Sequence, residues 1–251
     1  MKELLSAAIE AAQNAGQLIR ENFGSTLVVN EMKKHDIKLE LDVRSQQLIT
    51  DTLLKHFPDH AILGEEGDAS GEGPVEWIVD PIDGTVNYFF GIPHFCVSIA
   101  ARDQQTKEKL VGVILDPMQN ELWTVVRGGQ AELNGQPIHV SSRAEMSQAV
   151  VTVGFSKSRE ALDAGFDRYK RIAYDVRKTR MLGSAALAMA YIACGRLDAY
   201  VEEQISLWDI AAGHMLVEAA GGRVNLDPGQ RTNGTMFICA SNGLLPIESY
   251  L

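Results

Sequence analysis

The run Trp77-Ile78-Val79-Asp80-Pro81-Ile82-Asp83-Gly84-Thr85-Val86-Asn87 constrains this chain more than any other part of it. Trp77 to Val79 are apolar and β-favouring, so they read as a strand entering the core. Pro81 has no N–H to give a ladder and Gly84 accepts positive φ, so the strand is expected to break here. Two carboxylates, Asp80 and Asp83, then stand at a strand end and in the turn beyond it, with the Thr85 hydroxyl close by. If a helix or turn starts near Gly84, its free N–H groups face an anion. Hard oxygen ligands beside such a cradle suit Mg²⁺ and phosphate. A lone D-x-x-D is more simply a solvated turn, so the rest of the chain has to decide.

A chain of 251 residues can bury a sizeable core, as one large domain or two closely packed halves. We expect halves at 1–145 and 146–251, forming one compact unit. A net charge of −10 argues against nonspecific binding to nucleic acid or anionic membranes. That charge would also repel a phosphate substrate, unless clustered carboxylates hold divalent cations that dominate the local field. No apolar run approaches the ~18 residues of a membrane span. Cys96, Cys194 and Cys239 lie far apart in apolar surroundings, without a C-x-x-C pair. They read as buried thiols of a reducing compartment, and the cytoplasm is the expected location.

Apolar periodicity predicts a helix over 2–23, β-like residues from Thr26 to Val29, and a half-buried strand from Ile37 to Leu41. Asp42 is expected to cap a second helix that Pro58 ends, and Ala61–Gly64 a short strand delivering Glu65-Glu66. Residues 67–74 form a polar loop. Strands follow at Phe95–Ala101, Leu110–Leu115 and Leu122–Val126, with a tight turn at Asn134-Gly135. Beyond residue 146 strands and helices alternate: a strand at Val150–Val153, a polar helix at 158–174 and an Ala-rich helix at Ser184–Cys194. Leu197–Val201 is a strand with Glu202 and Glu203 at its end, Asp209 caps a helix, and Arg223–Leu226 and Met236–Ala240 complete a second sheet. The fold class is a layered α+β or α/β protein, with an antiparallel N-terminal sheet and a smaller mixed C-terminal one. No G-x-S-x-G elbow, H-E-x-x-H, P-loop or strand–G-x-G-x-x-G–helix unit is present.

Asp42, Glu65, Asp80 with Asp83, and Asp209 each follow apolar residues, so the core carries them inward, and carboxylates gathered in a cleft need cations. Singly, Asp42 and Asp209 are most simply helix caps. As an ordered set, Asp42, Glu65-Glu66, Asp80-Pro81-Ile82-Asp83-Gly84-Thr85 and Trp208-Asp209-Ile210-Ala211-Ala212-Gly213 resemble the signature of the inositol monophosphatase family of metal-dependent, lithium-sensitive phosphomonoesterases. Gly91-Ile92-Pro93, Leu182–Ala186 and Glu218–Gly222 look like family segments as well, and the resemblance spans essentially the whole chain.

That resemblance implies a five-layer α-β-α-β-α sandwich, a homodimer, and two Mg²⁺ ions. One ion takes Glu65, Asp80 and the Ile82 carbonyl, the other Asp80, Asp83 and Asp209, and a weaker third sits near Glu65 through water. It further implies direct in-line attack of water on a small phosphate monoester, with Thr85, oriented by Asp42, and Glu65 positioning and deprotonating that water. Asp83, Gly84, Thr85, Gly183, Ser184, Ala185, Glu202 and Asp209 face the substrate. For Ser184 a helix cap, and for Glu202 a solvated strand end, are the plainer alternatives. His94 and His214 read as packed or surface histidines rather than ligands, and Met189, Met215 and Tyr191 as core. Myo-inositol monophosphate is the first substrate choice. Histidinol phosphate, fructose 1,6-bisphosphate and 3′-phosphoadenosine 5′-phosphate compete with it, and a non-catalytic binding or regulatory protein on the same fold is the rival from another class. One departure stands out. The family reads D-x-V-T-x-x-D before the second helix, whereas this chain has Asp36-Ile37-Lys38-Leu39-Glu40-Leu41-Asp42, with Lys38 taken as the replacement for the Thr. Lys33 and Lys34 are equal candidates for an upstream basic residue, and the approach over 31–36 is expected to weaken the third metal site.

Overall fold

The computed structural model describes residues 1–33, 36–67, 70–155, 159–227 and 234–251. The expectations for Lys34, His35 and Ser158, and for part of the 67–74 loop, fall outside them. The chain begins with α1 (Lys2–Asn22), β1 (Val29–Lys33), β2 (Asp36–Leu39) and α2 (Glu40–His56). It continues through β3 (Ala61–Gly64), β4 (Val75–Asp83), α3 (Thr85–Phe89), β5 (Cys96–Asp103), β6 (Lys109–Asp116) and β7 (Glu121–Val126). The short pair β8 (Glu132–Leu133) and β9 (Gln136–Pro137) flanks the Asn134-Gly135 turn. The second half holds β10 (Val150–Val153), α4 (Arg159–Asp175), β11 (Lys178–Arg180), α5 (Ala185–Ala193), β12 (Ala199–Ile205), α6 (Leu207–Ala219), β13 (Arg223–Asp227) and β14 (Met236–Ser241).

Strands β3 to β9 form one sheet in chain order, antiparallel except for the parallel β3–β4 pair. The second sheet runs β11-β10-β12-β14-β13 and is mixed. Alternation along β5 shows how the layers stack. Val97, Ile99 and Ala101 pack with α1 and α2, whereas Cys96 and Ala100 face α5 and α6. Helices α5 and α6 therefore lie between the sheets, and α4 covers the outer face of β10–β12. The order of layers is α-β-α-β-α. Close packing of the middle layer depends on Gly112, because a Cβ there would come within 3.2 Å of Ala212 Cα and 3.1 Å of Val125 Cγ1.

Several elements differ from the sequence expectation. Pro81 does not end β4, which runs on to Asp83 through a bulge. Asp80 opposes Ser98 and Asp83 opposes Cys96, so three steps on β4 match two on β5. The extra residue shifts the side-chain phase. Ile78 and Asp80 face the middle layer, Ile82 turns to the α1–α2 side, and Asp83 returns to the middle. Without the bulge the two carboxylates would point to opposite faces. The strand expected over 37–41 stops at Leu39, because Glu40 to Asp42 already form the first turn of α2. Strand β12 extends to Ile205, so Glu202 and Glu203 lie within it rather than at its end. Strand β11 has no counterpart in the sequence reading, and β1 begins only at Val29.

Candidate active site

Asp42 and Asp209 occupy equivalent places in their helices, and neither is the capping residue. The N-caps are Leu39 and Ser206, and the acids are the third helical residue, each accepting the N–H of its cap (Leu39 N–H to Asp42 Oδ2, 2.7 Å; Ser206 N–H to Asp209 Oδ2, 2.9 Å). The same count corrects the reading of Lys38. Three residues before Asp42, where the family pattern has Thr, stands Leu39. Lys38 lines the cavity instead and pairs with Glu66 at 3.0 Å.

The β4 bulge, the start of α6 and the end of β3 converge on one cavity of about 810 Å³, and Asp42 is not among the residues that line it. Carboxylate oxygens of Asp80, Asp83 and Asp209 lie within 4.8 Å of one another. Glu65, tied to β4 by its N–H to Val79 O (3.0 Å), is hydrogen-bonded through its carboxyl to Asp80. Gly84 (φ 100°) turns the chain so that α3 begins at Thr85. The Thr85 hydroxyl donates to Ile82 O at 2.9 Å, three residues back across that turn, and is not paired with Asp42 as expected. Asp42 Oδ1 is buried with no hydrogen-bond partner.

Asp83 joins the two halves of the chain. Its Oδ2 accepts the Ser184 hydroxyl (2.5 Å) and the Ala186 N–H (2.7 Å), and its Oδ1 the Ala185 N–H (3.3 Å). Ser184 also caps α5, accepting Leu187 N–H at 3.3 Å. A carboxylate at a helix N-terminus gains from the free donors there, and its four lone-pair sites leave room for a further partner. Gly84, Gly183, Ala185, Glu202 and Trp208 also line the cavity.

The electrostatics are unfavourable without a cation. Burial pushes Asp42 up to about 8 against the pull of the Leu39 N–H. Burial pushes Glu65 up to about 7, with its bond to Asp80 acting in the opposite direction. Asp80 and Asp209 are driven well above the carboxylate range by burial and then by neighbouring carboxylates. Asp83 also rises through burial, resisted by Ser184 and Ala186. A donor set of carboxylates and one backbone carbonyl fits a hard divalent cation rather than a soft one.

Both histidines stay out of this cluster. His214 Nδ1 meets Lys109 Nζ at 2.9 Å and its Nε2 meets Glu218 at 3.2 Å, while the His94 ring packs against Tyr191. Met189 and Met215 are buried and Tyr191 is half-buried.

Three supporting residues escaped the sequence reading. The Gln46 side chain brackets Glu66 by its N–H and carbonyl, and Gly64 makes room for that amide. Asn87 donates to His94 O (2.8 Å) and Leu182 O (2.9 Å), pinning α3 to the Gly183 loop. Tyr200 donates to Glu202. Only the last had a local signal, the two-residue spacing of a strand face.

The sequence model of the inositol monophosphatase family matches residues 1–245. The chain belongs to the inositol monophosphatase family. Inositol monophosphatase 2 of Solanum lycopersicum is 40% identical over 237 residues, covering 91% of this chain and 88% of that protein. A protein named Nus factor SuhB from Xylella fastidiosa is 38% identical over 226 residues, covering 89% and 82%. A solved inositol monophosphatase from Anabaena shares the fold with a TM-score of 0.85 at 35% identity, covering 98% of this chain and 92% of that one. Family membership places the chain among phosphatases of this layered fold, and among the described residues no helix is long and apolar enough to cross a membrane.

Proposed function

We propose that the chain hydrolyses a small phosphate monoester with Mg²⁺, and that myo-inositol monophosphate is its first-choice substrate. The observation that carries this reading is the bulge that turns Asp80 and Asp83 to one face, where Asp209 from the other half meets them. Glu65, Asp80 and the Ile82 carbonyl would hold one ion, and Asp80, Asp83 and Asp209 a second. When bound, such ions supply positive charge to the transferred phosphoryl group, the attacking water and the leaving oxygen.

The chain's own groups do the rest. Thr85 Oγ1 and the Glu65 carboxylate position the attacking water, and Glu65 accepts its proton. The water oxygen forms the new P–O bond in line as the ester P–O bond breaks. Asp83 is oriented by the start of α5, so Ser184 and Ala186 set the angle of the cluster. Glu202 and the backbone at Gly183 and Ala185 face the alcohol that departs. The buried thiols Cys96 and Cys239 support a cytoplasmic setting.

A second reading is a non-catalytic binding or regulatory protein on the same fold, and relatives named Nus factor SuhB carry a name that is not a phosphatase's. Phosphate release from inositol 1-phosphate, histidinol phosphate, fructose 1,6-bisphosphate, 3′-phosphoadenosine 5′-phosphate and an aryl phosphate, with and without Mg²⁺, separates the readings. Turnover that needs Mg²⁺ and is fastest on the inositol ester is expected. Absence of turnover on every ester would favour the binding protein.

A further inference from the structure

Tyr200 and Glu202 lie two residues apart on β12, so both side chains leave the same face of the strand and line the cavity. The Tyr200 hydroxyl donates to Oε2 of Glu202. Tyr200 is only 2% exposed, so bulk water does not compete for that bond. On the neighbouring strand, Gly154 follows β10 and its N–H bonds Val201 O at 2.9 Å. A Cβ on residue 154 would overlap Oε2 of Glu202. One carboxylate oxygen is thus held between a buried phenol and a space that only glycine leaves open.

Building on the phosphatase reading, the structure assigns Tyr200 and Gly154 as positioning residues. They fix Glu202 to receive the leaving group and so select esters whose alcohol carries a further hydroxyl or an amine. A glutamate side chain loses rotamer freedom when it captures a ligand, and one already fixed has lost it before substrate arrives. The donor is also suited to its surroundings. Asp83 and Asp209 lie close enough to act on Tyr200, Asp209 and Glu202 act on each other, and a cationic donor would be drawn toward these carboxylates. A phenol kept protonated by burial and by Glu202 orients the carboxylate without adding a charge.

The test compares Tyr200→Phe, Gly154→Ala, Glu202→Gln and the double variant Tyr200→Phe/Glu202→Gln on inositol 1-phosphate and on 4-nitrophenyl phosphate, whose leaving group has no second hydroxyl or amine. Tyr200→Phe is expected to lower kcat/KM on the inositol ester about tenfold, mainly through KM, as loss of a hydrogen bond to a charged group does. The aryl ester should change by less than about twofold, and in the double variant the Phe substitution should add nothing to the Gln effect. Gly154→Ala should reproduce the selective loss, and if it does not fold, Tyr200→Phe and the cycle decide alone. Equal losses on both esters, no loss on either, or additive effects in the cycle overturn the assignment while leaving the phosphatase reading intact. A wild-type protein that hydrolyses neither ester with Mg²⁺ present overturns the phosphatase reading and this assignment with it.

Discussion

Asp80→Asn should destroy activity and yet stabilise the metal-free fold. Asp80 is 1% exposed, accepts the Ile82 N–H at 3.1 Å and shares a hydrogen bond with the Glu65 carboxyl, while Glu65, Asp83 and Asp209 also act on it electrostatically. Its carboxylate has oxygens within 4.8 Å of those of Asp83 and Asp209. At an effective dielectric of about 20, two unit charges at that separation repel by about 3.5 kcal/mol. Partial protonation relieves part of this, so a gain of about 2–4 kcal/mol on neutralising Asp80 is expected at pH 8. The pH dependence has a definite sign. A carboxyl whose folded pKa lies above its unfolded value contributes stability at pH below the unfolded value, and that contribution is lost as pH rises through the folded one. Wild-type protein in EDTA should therefore lose stability between about pH 4 and pH 8, the span set by an ordinary carboxyl and by Asp42 at about 8. Asp80→Asn should lose less. Urea unfolding in EDTA at pH 5 and pH 8 reads both effects. A variant less stable than wild type at pH 8 without metal would refute the reasoning, as would one retaining more than about a tenth of wild-type turnover in saturating Mg²⁺, a loss of under ~1.4 kcal/mol.

Gly112→Ala should lower stability by about 1–3 kcal/mol, because its Cβ would press on the α6 backbone at Ala212; an unchanged melting temperature would contradict the packing of the middle layer. Lithium in the millimolar range should inhibit uncompetitively or in mixed fashion, since Li⁺ can take an Mg²⁺ position with half its charge. Complete insensitivity under full Mg²⁺ dependence would point to altered ligation. Val86, Phe90 and Ile92 expose large apolar side chains around α3, so a homodimer is expected to use this face. Light scattering should give twice the mass of one chain, with Phe90→Glu giving half of that, and a wild-type monomer would rule the dimer out.

Much of the fold follows from local pattern. Trp77–Val79 mark β4, Leu4, Ala8, Ala11, Ala15 and Ile19 on one helical face mark α1, and the strands from β5 to β7 appear within two residues of their expected ends. Several of the errors stem from pairing that no short window contains. Pro81 is a strand breaker by its own chemistry, yet β5 supplies a partner that accommodates it as a bulge. Asp42 and Asp209 are good capping residues in isolation. The S-x-x-D spacing of Ser206 and Asp209 is a legible sign of the third helical position, whereas Leu39 gives none before Asp42. Asp83 meets Ser184 across 101 positions, and Gln46 meets Glu66 across 20. Neither contact leaves a trace in periodicity.

The central claim is that the acidic cluster holds divalent metal in order to hydrolyse a phosphate ester. Its most direct test is one Mg²⁺ titration of EDTA-stripped protein, read as heat of binding and as phosphate release from inositol 1-phosphate, for wild type and for Asp209→Asn. The account predicts binding and activation over the same Mg²⁺ range in wild type, with both weakened together in the variant. Turnover in EDTA, or Mg²⁺ binding that Asp209→Asn leaves unchanged, would contradict it.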